Sequence, residues 1–214
     1  MVRRANKKQK GRPSRPMRKI IMIATEGGNR TEQTYFAEFN RKQNECHIVF
    51  ADGNSTDPVK IVKEANKSAN NQGIRKDYGD TVIAVFDADF DKQEQIRMAR
   101  ELARKNKIEI IISNPCFEVW LLQHFRFSTR GYHSNNDVIS ELTNRWPEYR
   151  KNIESFQYLA DRTELAIDNA RRLDAYHNNV NPGMEIEDRN PATNVYKLVE
   201  RVYPKGGDEE QYDE

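Results

Sequence analysis

Residues 81–91 read TVIAVFDADFD, an apolar run that ends in three aspartates at alternate positions. The run at 81–86 is rich in β-branched and aromatic residues and has the length of a buried strand. The aspartates follow at the point where that strand would end: Asp87, Asp89 and Asp91. The stretch therefore predicts a strand that brings carboxylates to one edge of a sheet.

The first half of the chain alternates strand patterns with helix patterns. Thr31 is placed to cap the helix after the first strand, and Asp57-Pro58 has the order of an N-cap and a first helical residue. Ile96, Ala99 and Ala103 lie on one face of a third helix. Strands are predicted between these helices at 20–24, 46–50, 81–86 and 108–112.

This spacing indicates parallel strands joined by crossover helices. The strands are almost continuously apolar, which is typical of a sheet covered on both faces. We therefore expect an α/β fold with a four-stranded parallel sheet flanked by helices.

The second half of the chain has helical patterns only. Asn114-Pro115 is expected to start a helix as cap and first-turn residue, and Thr163 and Thr193 are expected to cap later ones. Those later helices are predicted at about 137–145, 163–177 and 193–203. The expected organisation is a disordered basic arm at 1–18, an α/β core at 19–126, a helical extension packed on the core at 127–205 and an acidic tail at 206–214.

The chain is rich in charged residues, and its N-terminal segment is basic. Among 214 residues, 35 are Lys or Arg and 33 are Asp or Glu, yet nine of the bases and none of the acids fall within residues 1–19. Such an arm serves about as often for solubility or assembly as for nucleic-acid contact. Because it attracts phosphate, the expected nucleic-acid contacts are Arg3, Arg4, Lys7, Lys8, Lys10 and Arg12. Neither a secretory leader nor an apolar run of membrane-spanning length is evident, so we expect a cytoplasmic protein without membrane association.

Cysteine and histidine patterns do not indicate zinc. The two cysteines are far apart, and the four histidines form no HxxxH or HExxH pattern. His124 and His177 have no recognisable partner, so surface or helix-end positions are expected for both.

The carboxylates point to a magnesium site. Glu26 follows the first strand as Asp87 and Asp89 follow the third, and the carboxyl ends of parallel strands share one ligand-binding edge. In an extended chain Asp87 and Asp89 would point the same way, roughly 7 Å apart, and would repel each other unless a cation lay between them. Oxygen-only ligands favour Mg²⁺, with Mn²⁺ as a substitute. Glu32 either joins this edge or simply complements the dipole of its helix.

Other classes of site with similar sequence motifs fit this sequence less well. An EF-hand loop starting at Asp87 needs Gly and Glu where the chain has Lys92 and Met98. Phosphatases of the haloacid-dehalogenase type carry their DxD on the first strand, not the third. A dinucleotide fold needs GxGxxG after the first strand, which the chain lacks.

A glutamate after the first strand and a DxD after the third resemble the Toprim fold of topoisomerases, primases and OLD-type nucleases. That resemblance implies that Asp87 and Asp89 bind Mg²⁺. It also implies that Glu26 binds metal or acts as a general acid or base.

Longer stretches are similar to the RloB-like family of bacterial proteins. They are TEGGNRTEQTYF (25–36), VFDADFD (85–91), SNPCFEVWLLQHF (113–125), LAIDNARRL (165–173) and NPATNVYKLVE (190–200). The resemblance implies a Toprim-like nuclease that works with an RloA-type ATPase of the AAA or ABC class in defence and abortive-infection loci, with assembly through that partner. Ala88 departs from the family, which often has a charged residue there.

Several further residues are candidates for the same site. Glu118 begins an otherwise apolar helix near the same edge and is either a site carboxylate or a dipole-compensating one. Arg30 and Lys197 are candidates for the cation that a nuclease places near the scissile phosphate. Asp91 is a secondary candidate that is expected instead to cap the third helix.

Three functions are consistent with the sequence. The first is a metal-dependent nuclease acting on DNA or RNA. The second is a non-catalytic scaffold or sensor subunit of the ATPase, and the third is a small-molecule phosphohydrolase. The basic arm favours a nucleic-acid ligand over a small one.

Overall fold

The structure is a computed structural model that describes residues 18–27, 30–40 and 46–203. The predicted acidic tail and the predicted contacts of the basic arm, Arg3, Arg4, Lys7, Lys8, Lys10 and Arg12, lie outside the described residues. Within the described part, no helix has both the length and the apolar character needed to cross a membrane.

A five-stranded sheet forms the centre of the fold. Its order is β2-β1-β3-β4-β5, and the first four strands of that order are parallel while β5 is antiparallel to β4. The strands are β1 (Lys19–Ala24), β2 (Cys46–Phe50), β3 (Thr81–Asp87), β4 (Glu109–Asn114) and β5 (Ala192–Thr193). The α/β prediction is therefore confirmed, but β5 was not expected because two residues carry no periodicity.

Helices connect and cover the strands. In the described residues they are α1 (Thr31–Ala37), α2 (Pro58–Asn71), α3 (Gln93–Lys105), α4 (Glu118–Gln123), α5 (Asn135–Arg145), α6 (Phe156–Leu159), α7 (Thr163–Val180) and α8 (Tyr196–Val202). Short 3-10 turns occupy Lys76–Tyr78, Ala160–Arg162 and Ile186–Asp188.

The sheet separates two hydrophobic clusters, as its apolar strands predict. Alternate residues of β1 divide between them, since Ile21 and Ile23 join one cluster and Met22 and Ala24 join the other. The second cluster is closed by α2 and α3. The first is closed by α1 and α4 and also includes buried side chains of α5, α7 and α8, so the helices of the second half pack onto the sheet through one continuous core.

The predicted helix caps are confirmed at one position. Asp57 is the N-cap of α2, its carboxylate accepts a hydrogen bond from Lys60 N at 2.8 Å, and Pro58 is the first helical residue. At α3 the prediction is wrong, because Lys92 is the N-cap without a side-chain hydrogen bond and Asp91 is exposed.

Tertiary hydrogen bonds or buried packing replace the other predicted caps. Thr31 and Thr163 are first helical residues rather than caps, and Thr31 Oγ1 accepts from Asn152 N at 3.1 Å. Asn114 ends β4, and its amide nitrogen donates to the Glu187 carbonyl at 2.8 Å. Thr193 lies in β5, with its hydroxyl 2.9 Å from that of Ser113.

Asp57→Ala should lower the free energy of unfolding by about 1 kcal/mol, because α2 loses its capping hydrogen bond. Urea denaturation followed by circular dichroism measures this change. Asp91→Ala is the matched control and should change the value by less than about 0.5 kcal/mol. Equal losses in the two variants would contradict the assignment of the cap.

Candidate functional site

The ends of β1 and β3 bring Glu26 and Asp87 together. The two strands are neighbours, with Ala24 paired to Ala84, so the residues that follow them lie at one edge of the sheet. The backbone N–H of Asp87 donates to Glu26 Oε1 at 3.2 Å. Both side chains are only partly exposed. The predicted meeting of these two positions is thus present in the fold.

Asp89 takes a different direction from the one expected. β3 ends at Asp87, and Asp89 has a φ of 47°, in the left-handed region that Asp tolerates better than most residues. The strand alternation that predicted Asp87 and Asp89 on one side therefore does not continue. Asp89 N donates to the Pro115 carbonyl at 3.0 Å, and Asp89 Oδ1 accepts from Asn135 Nδ2 at 2.7 Å.

Lys92 bridges two of the predicted metal ligands. Its ammonium nitrogen lies 2.9 Å from Glu26 Oε1 and 2.7 Å from Asp89 Oδ2. Its side chain is 19% exposed, so the ion pairs are shielded from much of the solvent. The hydrogen bonds to Asp89 and Glu26 raise the pKa of Lys92 despite its burial. Lys92 is therefore a cation at this edge.

Two further carboxylates lie behind Asp87 and are buried. Glu32, in the first turn of α1, is 2% exposed, and its Oε2 has no hydrogen-bond partner among the described residues. Glu118, the first residue of α4, is equally buried, and its Oε1 accepts from the Tyr149 hydroxyl at 2.7 Å. Both residues lie in the first turn of a helix, where a carboxylate also interacts favourably with the helix dipole.

The gathered carboxylates oppose one another's ionisation. Burial raises the pKa of Asp87 well above its usual range, and the negative charges of Glu32, Glu26 and Glu118 raise it further. Burial, together with the charges of Glu118 and Glu26, raises the pKa of Glu32 to about 7. Burial also raises the pKa of Glu26, although Lys92 works against it. The shared and largest cause of these shifts is burial, and the neighbouring negative charges add to it.

A metal ligand set is not already assembled. Within the part of the chain that the structure describes, no three His, Cys, Asp or Glu side chains converge closely enough to hold an ion. The donor chemistry nevertheless fits Mg²⁺, since the edge offers carboxylate oxygens only. The buried, partnerless oxygen of Glu32 also fits, because an oxygen in that state requires a proton or a cation.

Neither of the two expected cations forms an ion pair with these carboxylates among the described residues. Lys197 is exposed on α8, with its nitrogen 5.7 Å from the centre of the Tyr196 ring. Arg30 is the N-cap residue of α1 and is exposed, and its backbone N–H donates to Asn152 Oδ1 at 2.8 Å. The cation that pairs with Glu26 and Asp89 is Lys92, which was not among the residues predicted from the sequence. A lysine three positions after Asp89, where a helix begins, was the only sequence signal for it.

Other polar side chains near the site belong to the core. Cys116 is buried, and burial with the negative charge of Glu118 raises the pKa of its thiol well above the usual range. His124 and His177 lie at the ends of α4 and α7, as expected, but both are buried. Burial lowers the pKa of His124 to about 4, and His177 Nε2 lies 2.7 Å from the Pro191 carbonyl.

The metal-free protein should lose stability as the pH rises from about 4.5 to about 7. A carboxyl group whose pKa is higher in the folded than in the unfolded chain binds more protons when folded, so the free energy of unfolding falls across that interval. Glu32, whose pKa moves from 4.5 to about 7, contributes about 2–3 kcal/mol of this change.

Glu32→Gln should flatten this pH dependence, as measured by urea unfolding in EDTA between pH 4.5 and pH 8. Glu164→Gln is the control, because Glu164 occupies the first turn of α7 but is exposed. An unchanged slope in Glu32→Gln would contradict the shifted pKa.

Comparison with known proteins gives one match. The family model described as RloB-like protein matches residues 21–202. No curated protein matches the chain. No solved structure matches it either. The family match covers most of the chain, including every residue of the acidic edge described above, and the chain therefore belongs to the RloB-like family.

Proposed function

We propose that this protein is a Mg²⁺-dependent nuclease that hydrolyses phosphodiester bonds of DNA or RNA. The observation that carries the proposal is the position of Asp87, whose backbone N–H donates to Glu26 Oε1 and which lies near enough to Glu32 and Glu118 for their charges to act on it. Burial raises the pKa of Asp87, and the negative charges of Glu32, Glu26 and Glu118 raise it further. A purely structural ion pair does not require an excess of negative charge, whereas a catalytic site that binds a cation does.

Asp87, Glu26 and Glu32 are the residues that would hold the metal, with Asp89 and Glu118 beside them. A divalent cation supplies a Lewis acid for the phosphoryl oxygens and lowers the pKa of bound water. Asn135 and Tyr149 fix Asp89 and Glu118 through hydrogen bonds of 2.7 Å each. The carboxylates of Asp89 and Glu118 are therefore oriented by residues of the second half of the chain.

Two kinds of group have chemistry suited to the hydrolytic step. A carboxylate of the edge that is not coordinated to the metal can accept a proton from water. The ammonium group of Lys92 can shift from Glu26 and Asp89 to a phosphate oxygen, where it would stabilise developing negative charge. Both groups lie on the edge that carries the strand ends.

The biological setting is part of the same proposal. RloB-like resemblance implies an RloA-type ATPase as partner and a role in antiviral defence or abortive infection in the cytoplasm. The ATPase would provide sensing and energy, and this chain would cleave the nucleic acid.

A scaffold function is the second candidate, and the Lys92 bridge favours it. Lys92 already neutralises Glu26 and Asp89, so the edge can persist without a metal. In that case the chain would support the ATPase without cutting nucleic acid.

Asp87→Asn should reduce Mg²⁺-dependent cleavage of labelled DNA or RNA at least about 100-fold, because it removes a central ligand while keeping the side-chain shape. Cleavage is measured with the chain alone and with the ATPase. Asp91→Asn is the control and should retain activity, since Asp91 is exposed. If the unmodified protein cleaves neither substrate in either setting, the scaffold function is supported instead.

Lys92→Met should tighten Mn²⁺ binding about tenfold and lower the unfolding temperature in EDTA. The substitution removes the ammonium group that competes with metal for Glu26 and Asp89 and leaves those carboxylates unpaired. Mn²⁺ titration by electron paramagnetic resonance measures the affinity. Lys105→Met, at an exposed position of α3, should change neither quantity. Unaltered Mn²⁺ affinity in Lys92→Met would show that the lysine does not compete.

A further inference from the structure

A second polar cavity lies along α5, apart from the acidic edge. Its volume is about 540 Å³, within the usual range for ligand sites. One wall comes from the segment between α4 and α5 and the other from α5 itself. The lining residues that matter here are Arg126, Arg130, Tyr132, Asp137, Glu141 and Arg145. We call it the α5 cavity.

Glu141 organises this cavity. Its Oε1 lies 3.2 Å from Arg126 Nε and 3.7 Å from Arg145 Nε, and its Oε2 accepts from the Tyr132 hydroxyl at 3.0 Å. The Glu141 side chain is 18% exposed. One shielded carboxylate thus fixes two guanidinium groups from two different segments, which reduces the conformational entropy that they would lose on binding a ligand.

Several hydrogen-bond donors of the cavity have no partner among the described residues and are available to a ligand. The contacts of Arg145 with Glu141 are made through Nε, and its terminal nitrogens have no hydrogen-bond partner among the described residues. The guanidinium of Arg130 likewise has no partner in the described part of the chain; only its backbone N–H is engaged, by Ser128 Oγ. Planar guanidinium groups with free terminal donors are suited to bidentate recognition of phosphate.

The charge of the cavity also favours an anion. Three arginines face two carboxylates, and one of those carboxylates, Asp137, already accepts from His133 N at 3.1 Å. The other, Glu141, is occupied by its two arginines and Tyr132. The surplus positive charge therefore remains on the free donors of Arg130 and Arg145.

α5 connects this cavity to the acidic edge. Asn135, its first residue, donates to Asp89. At 1.5 Å of rise per residue, Glu141 and Arg145 lie about 9 Å and about 15 Å farther along the helix. A nucleic-acid strand of a few nucleotides spans that distance. One strand can therefore extend from the acidic edge to the α5 cavity.

We propose that the α5 cavity binds backbone phosphates of a nucleic-acid strand, a few nucleotides from the phosphodiester held at the acidic edge. This inference rests on the proposed nuclease function and specifies its substrate as a polymer rather than a small phosphate ester. Arg130 and Arg145 contact the strand, while Glu141 and Tyr132 position the arginines.

The test is binding of labelled single-stranded DNA and RNA oligonucleotides to the full chain in EDTA, followed by fluorescence anisotropy. The Arg130→Gln/Arg145→Gln double variant should bind at least tenfold more weakly. The slope of log affinity against log salt should fall in magnitude by about 1.4, which corresponds to two lost phosphate contacts. The variant should remain folded, because the one ion pair it loses is partly exposed.

The matched control is Arg104→Gln/Lys105→Gln, which removes the same charge from exposed positions at the end of α3 and also breaks one ion pair. Equal weakening in both double variants would overturn the proposal, because it would show a general charge effect. Inorganic phosphate and a mononucleotide are the competing probes; micromolar binding of either, without oligonucleotide binding, would also overturn it. Binding is measured without metal, so the result is independent of whether the chain cleaves.

Discussion

Repulsion between carboxylates at a poorly solvated edge is the constraint on which the rest of this structure depends. Each relieving contact comes from a different element. Lys92 neutralises Glu26 and Asp89, Asn135 donates to Asp89, and Tyr149 donates to Glu118. The relief is incomplete at Asp87 and Glu32, whose pKa values stay raised. A raised pKa favours the protonated form of these two carboxyl groups, whereas a bound cation would favour their ionised form.

This distribution of contacts makes the helical second half part of the site. The expected boundary at residue 126 separates a core from an extension, yet Asn135 and Tyr149 lie beyond it and hold carboxylates of the core. One hydrophobic cluster also joins β1 and β3 to α5, α7 and α8. A change in how the extension packs would therefore move the donors that orient the acidic edge.

The sequence predicts the sheet well, because each parallel strand has a continuous apolar run bounded by polar residues. It also predicts that Glu26 and Asp87 meet, since parallel strands share one edge. It fails where tertiary hydrogen bonds compete with local ones. Thr31 and Thr193 form long-range hydrogen bonds instead of capping helices. The role of Lys92 was not foreseen because it depends on a left-handed turn at Asp89, and local patterns do not specify such a turn at a non-glycine residue.

The two-residue strand β5 also protects the sheet from self-association. β4 would otherwise present an unpaired backbone edge, the kind of surface that pairs with another chain. β5 covers its end, and Asn194 extends the cover, since its side-chain oxygen accepts from Ile112 N at 2.7 Å and its own N–H donates to the Ile112 carbonyl. Residues 192–194 thus cover the end of β4, and a chain shortened before residue 190 would carry an open strand edge there.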